Sequence, residues 1–185
     1  DVYARVYLPQ GYSQDNADKY PAVIFNHGAG YLQNAHYGFS GYFREFMFHN
    51  LLAQQGYVVM SFDNRGTATP RGHDWRKSIY RQVGILASQD QATALKHVLA
   101  TRPYLDPKRV GIWGWSGGGS MTLNALLRHP DLYTAGISIA SVPNMRLYDT
   151  IYQERYMGLP SDNAEGYRQG SPLTFADQLQ GKLLL

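Results

Sequence analysis

Five consecutive residues, Gly114-Trp115-Ser116-Gly117-Gly118, constrain this chain more than any others. A serine with glycines two before and two after suits a sharp turn from strand into helix, where its hydroxyl stands clear of the backbone. Such a turn strains the backbone and brings strand and helix close together, so a Cβ at either glycine would clash. The pattern alone is weak in a glycine-rich chain, and its flanks decide what it means. Here Val110-Gly111-Ile112-Trp113 reads as a buried strand, and residues 121–127 read as a helix. The bland alternative is a tight turn with an idle serine. A helix opening at Ser116 aims free N–H groups at the hydroxyl, and the Gly117 N–H can receive the oxyanion of a tetrahedral intermediate. Ser116 is therefore the candidate nucleophile.

The rest of the chain suits such an elbow. Residues 2–8 alternate, with Val2, Ala4 and Val6 on one side and Tyr3, Arg5 and Tyr7 on the other, as in a half-exposed strand. Residues 21–25 and 57–62 are short apolar runs that read as buried strands, as do 109–115 and 135–140. Helices are expected over 43–55, stopped by Gly56, over 82–101, with Ile85, Ala92, Leu95 and Leu99 near helical spacing, and over 116–128. Further helices are expected over 149–157 and 172–179, with a turn-rich stretch over 159–171 between them and a strand starting at Lys182. Strands alternating with helices imply a mostly parallel sheet with helices on both faces, the α/β-hydrolase fold. The 185 residues suit one domain. The chain stops inside an apolar strand, so residues 1–185 are expected to form a partial catalytic domain truncated before its last strands.

Composition removes several function classes. The net charge is +3, too small to argue for nucleic acid. The densest basic stretch, Arg65, Arg71, Arg76, Lys77 and Arg81, reads as a loop of solvated or ion-paired cations. There is no cysteine, so disulfides, thiolate catalysis and sulfur-ligated zinc are excluded. His36, His49, His73 and His97 lack metal-ligand spacing, and a surface or core role is expected of each, with His97 exposed on its helix. No metal or organic cofactor is expected. No apolar run approaches the ~20 residues of a membrane helix. The chain is expected to be soluble, in either cytoplasm or periplasm.

A second glycine-rich element, Asn26-His27-Gly28-Ala29-Gly30, follows an earlier strand. In this fold a loop at that place supplies the other oxyanion donor, so backbone N–H groups at His27 and Gly28 to Gly30 are candidates. His27 itself is not expected to be the general base, because chain order in this fold runs Ser, Asp, His. Only His129 follows Ser116; it lies at a helix end beside Pro130 and is expected to cap that helix. The base and its orienting carboxylate are therefore expected beyond Leu185. Asp63, at a strand end, is expected to order its loop together with Arg65.

Three segments now carry a family resemblance: Ser61-Phe62-Asp63-Asn64-Arg65-Gly66, the serine elbow, and the long run from Tyr148-Asp149-Thr150-Ile151-Tyr152 to Gly158-Leu159-Pro160. The chain resembles the catalytic domain of the prolyl oligopeptidase family of serine peptidases, within it the dipeptidyl-peptidase IV branch. The likeness implies attack by Ser116 on a peptide bond after proline or alanine, with no metal or organic cofactor. It places Tyr148, Tyr152 and Val142 in the proline pocket, with Trp115 beside them. Flat aromatic faces suit a pyrrolidine ring, although i, i+4 tyrosines on a helix also suit ordinary packing. It also implies an amino-terminal β-propeller, which residues 1–185 do not include.

Two positions depart from that pattern. His27 stands where the dipeptidyl peptidases have a tyrosine, and Met145 stands where a pocket tryptophan is expected. A carboxylic-ester hydrolase of the same fold is thus a second reading, and a non-catalytic hydrolase-like binding domain a third. The expected partner is a peptide substrate, with a homo-oligomer of the full-length protein left open.

Overall fold

The computed structural model describes residues 1–28, 33–38 and 43–185. Its centre is a six-stranded sheet: β1 (Tyr3–Tyr7), β2 (Tyr20–Asn26), β3 (Val58–Asp63), β4 (Leu105–Trp115), β5 (Ala135–Ile139) and β6 (Lys182–Leu184). The spatial order is β1-β3-β2-β4-β5-β6. Only β1 runs antiparallel, pairing with β3 from Tyr3 opposite Asp63 to Tyr7 opposite Val59. The other pairs are parallel, as helical crossovers require. This is the mostly parallel sheet with helices on both faces that the alternating pattern implies.

The helices are α1 (Phe43–Gln54), α2 (Gly72–Lys77), α3 (Leu86–Thr101), α4 (Gly117–Arg128), α5 (Thr150–Met157) and α6 (Ala164–Gly170). On one face, Ile24, Phe62 and Ile112 of the sheet pack with Leu95 of α3 and Leu126 of α4 in the main core. Burying each such side chain contributes roughly 1.5–3 kcal/mol. On the other face, Phe25 and Trp113 meet the ring of His49 on α1. Residue parity along β2 explains the division, because Ile24 and Phe25 point to opposite faces.

Several boundaries differ from expectation for identifiable reasons. In β1 the inward side is that of Arg5 and Tyr7, while Val6 is exposed. α3 starts at Leu86 rather than residue 82, because Arg81 (φ 64°) and Gly84 (φ 80°) hold left-handed turn conformations before it. β4 begins at Leu105, earlier than expected, and the register shift between Tyr20 and Ala22 absorbs the Asp106-Pro107 turn. α2 interrupts the long polar loop, and α6 forms within the stretch expected to be turn-rich. Residues 172–178 form a 3-10 helix with a kink at Phe175.

Arg65 forks onto Asp90 of α3, its Nη2 at 2.8 Å from Oδ1, and not onto Asp63. That corrects the expected Asp63–Arg65 partnership. Arg71 stacks over Trp75, which fits a loop of partnered cations. Among the described residues no helix is long and apolar enough to cross a membrane.

Candidate active site

Ser116 stands between β4 and α4 with φ 55° and ψ −116°, a conformation that L residues rarely adopt. Its N–H donates to the Ile139 carbonyl at 2.8 Å, and its own carbonyl accepts the Ser120 N–H at 2.9 Å. The chain is thus pinned on both sides of the turn, and the serine itself is exposed. A Cβ on Gly118 would collide with the Asn26 carbonyl oxygen, and one on Gly114 would meet the same oxygen at 2.5 Å. Both glycines of the motif are needed for the reason their spacing suggests. Gly119 adds a third close approach, which the motif did not reveal: a Cβ there would lie 2.7 Å from the Ile139 carbonyl oxygen. Gly117 faces open space, and as the first residue of α4 its N–H has no intrahelical partner.

The loop after β2 closes on this turn. Gly28 has φ 92°, and a Cβ there would lie 3.0 Å from the Gly118 nitrogen and 3.1 Å from the Gly117 carbonyl carbon. Gly28 therefore sits against the first turn of α4. Ala29 and Gly30, also candidates for oxyanion donation, lie outside the described residues. The His27 ring is buried, and its Nε2 lies 3.1 Å from Asp63 Oδ1. Asp63 also accepts the N–H groups of Asn34 and Ala35, each at 2.9 Å. Burial pushes this carboxyl up, but the His27 bond and the two backbone donors outweigh it and hold it below the usual carboxylate range.

Ser116 opens into a cavity whose walls include His27, Trp115, Val142, Tyr148 and Tyr152. The side chains assigned to a pocket thus share one cleft with the candidate nucleophile. Tyr148 and Tyr152 meet edge to face, ring centroids 5.5 Å apart. Asp149 caps α5, its Oδ1 accepting the Tyr152 N–H at 2.8 Å, and so fixes where Tyr152 projects. Met145 also lines the cavity, buried against Met157 and Tyr167.

Six lining positions were not anticipated: Val83, Gly84, Ser120, Met121, Asn124 and Gln153. Asn124 Nδ2 donates to the Gly170 carbonyl at 3.1 Å, tying the end of α6 to α4. Gly84 must be glycine for a related reason, since its Cβ would meet the same carbonyl at 2.7 Å. No local pattern announces contacts made across such long stretches of chain.

His129 is the C-cap of α4, its N–H bonded to the Ala125 carbonyl. It lies a helix length of about 18 Å from Ser116. Burial, then the charge of Lys96, lowers its pKa. His27 is the one histidine among the described residues lining the cavity. Among the described residues no group of three or more His, Asp or Glu side chains is placed to hold a metal ion.

Comparison with known proteins gives a consistent answer. A model described as the prolyl oligopeptidase family matches residues 44–185. Dipeptidyl peptidase 8 of Mus musculus is 37% identical over 172 residues, covering 92% of this chain and 18% of that protein. A probable dipeptidyl-aminopeptidase B of Metarhizium robertsii is 36% identical over 176 residues, covering 89% of this chain and 19% of that protein. The crystal structure of Porphyromonas gingivalis dipeptidyl peptidase 4 superposes with a TM-score of 0.86 at 38% identity, covering 97% of this chain and 24% of that one. The chain spans less than a fifth of the length of these two curated relatives.

Proposed function

Because the chain belongs to the prolyl oligopeptidase family, we propose that it carries the nucleophile of a serine peptidase cleaving after proline or alanine. One observation carries this reading: an exposed Ser116 strained at a strand–helix junction, with Gly28 packed against the turn. In the proposed reaction Ser116 Oγ adds to the substrate carbonyl as its proton passes to a general base. The oxyanion is received by the Gly117 N–H and by the backbone at His27 and Gly28. Collapse releases the amine and leaves an acyl ester on Ser116, which water hydrolyses. The base and its carboxylate are proposed to come from chain beyond Leu185. His27 is not assigned that role: its Nε2 faces Asp63, its Nδ1 is buried, and among the described residues no hydrogen bond joins its ring to Ser116.

Val142, Tyr148 and Tyr152 are proposed to receive the proline ring. The apolar cleft favours a small flat ring, and its walls exclude larger side chains. A second reading, hydrolysis of carboxylic esters, is favoured by one feature. Position 27 is a histidine, which carries no hydroxyl, and its ring is held against Asp63, so the oxyanion is left to backbone donors on that side.

Two measurements on the full-length protein test these readings. Ser116→Ala should abolish labelling by a fluorophosphonate probe; persistent labelling would place the nucleophile elsewhere. Turnover of a Gly-Pro anilide well above that of a short acyl ester supports the peptidase; the reverse order supports the esterase.

A further inference from the structure

Asp63, at the carboxyl end of β3, is 1% exposed. Its charge has no cation from the neighbouring loop, because Arg65 is committed to Asp90. It is met instead by three donors from the chain that follows β2: the His27 ring and the N–H groups of Asn34 and Ala35. The first donor immediately precedes Gly28, and the other two lie a few residues further along. One carboxylate therefore grips the chain on both sides of Gly28, the residue packed against the serine turn. The grip on His27 is specific: Nδ1 of that ring is buried with no hydrogen-bond partner among the described residues, so Asp63 takes its one hydrogen bond.

We propose that Asp63 is a positioning residue for the second oxyanion donor, holding His27 so that the Gly28 backbone stays against Gly117. This rests on the reading of Ser116 as nucleophile. Donors to an oxyanion act through fixed geometry, so a shift of about 1 Å costs catalysis heavily. Because even a Cβ added at Gly28 would lie only about 3 Å from backbone atoms of Gly117 and Gly118, rotation of His27 would be transmitted directly to the turn. Ionisation of Asp63 suits the role, since both oxygens then accept and neither repels a donor.

The test compares Asp63→Asn, His27→Leu, His27→Gln and the Asp63→Asn/His27→Leu double variant in the full-length protein, with kcat and KM measured on a Gly-Pro anilide. His27→Gln keeps an N–H donor near the place of Nε2; His27→Leu does not. Asp63→Asn and His27→Leu are each expected to lower kcat by about 30- to 100-fold, with KM changed less than threefold. The double variant should be no slower than the slower single, and His27→Gln should recover most of the rate. Unchanged kcat in the single variants, multiplying losses in the double, or a loss carried by KM alone would each overturn the proposal. If Asp63→Asn does not fold, the histidine pair decides: equal kcat for Leu and Gln overturns it. Labelling that survives Ser116→Ala would instead overturn the nucleophile itself, whatever Asp63 does.

Discussion

The hydroxyl of Ser120 accepts the N–H of Val142 at 2.8 Å and donates to the carbonyl of the same residue at 3.1 Å. Ser120 lies one helical turn after Ser116, so a wall of the proposed pocket is fastened to the helix that presents the proposed nucleophile. The Ser120 side chain therefore helps set the distance from wall to hydroxyl, beside the bond from the Ser116 N–H to the Ile139 carbonyl. Ser120→Ala leaves the Val142 N–H without its partner, at a cost of about 1–3 kcal/mol. The expected outcome is a lower midpoint of unfolding and a several-fold loss of preference for a Gly-Pro anilide over a short ester. Unaltered preference would mean that Val142 is held by other contacts.

Adjacent glycines in the turn should behave oppositely. A methyl group on Gly118 must displace the Asn26 carbonyl, which belongs to the central strand pair. Gly118→Ala is expected to destabilise by about 3 kcal/mol or more, at the upper end of overpacking costs. Gly117 has open space around its Cβ position, so Gly117→Ala should unfold at nearly the parental denaturant concentration. Chemical denaturation of both variants checks the contrast. Equal midpoints would mean that strand and helix can separate without cost.

Much of this site could be read from the residues because its signals are local. Glycines around a serine and apolar runs on either side each act within a few positions of themselves. The Asp63 network was not legible in that way. Its neighbour Arg65 is the obvious partner by proximity in sequence, yet it reaches Asp90 on the next long helix. α6 escaped because Gly166 and Gly170 dilute its helical signal and it has no apolar stripe. A Cβ on Gly170 would collide with the Val83 carbonyl oxygen, so lack of a side chain there matters more than helix propensity.

A buried histidine predicts an acid-sensitive fold. His49 is 3% exposed, with its ring among Tyr7, Phe25, Phe48 and Trp113. Burial, and then the positive charge of Arg5, lowers its pKa from 6.5 to about 4. Between those values the unfolded chain binds a proton that the folded chain does not. The contribution of the neutral ring is therefore complete above pH 6.5 and is lost as pH falls toward 4. The loss is on the order of 3 kcal/mol. His49→Phe keeps an aromatic ring in the cluster without the titration. Urea midpoints at pH 7 and pH 4.5 should lie closer together in that variant than in the parent. An undiminished gap would trace the acid loss to other groups.

The pocket itself yields the sharpest separation of substrates. Tyr152 lies between Tyr148 and Tyr156, ring centroids 5.5 and 4.8 Å away, and its backbone is fixed by the Asp149 cap. Tyr152→Ala removes an aromatic wall while leaving Ser116, Gly117 and Gly28 in place. A proline substrate that draws binding from that wall should lose on the order of 100-fold in kcat/KM. A short acyl ester, with nothing to occupy the cleft, should lose only a few-fold, because its reaction depends on the nucleophile and the oxyanion donors. The measurement is kcat/KM for both substrates in parent and variant. Equal losses on the two would reduce Tyr152 to a packing residue of α5, since general damage to the helix does not distinguish a ring from a straight acyl chain.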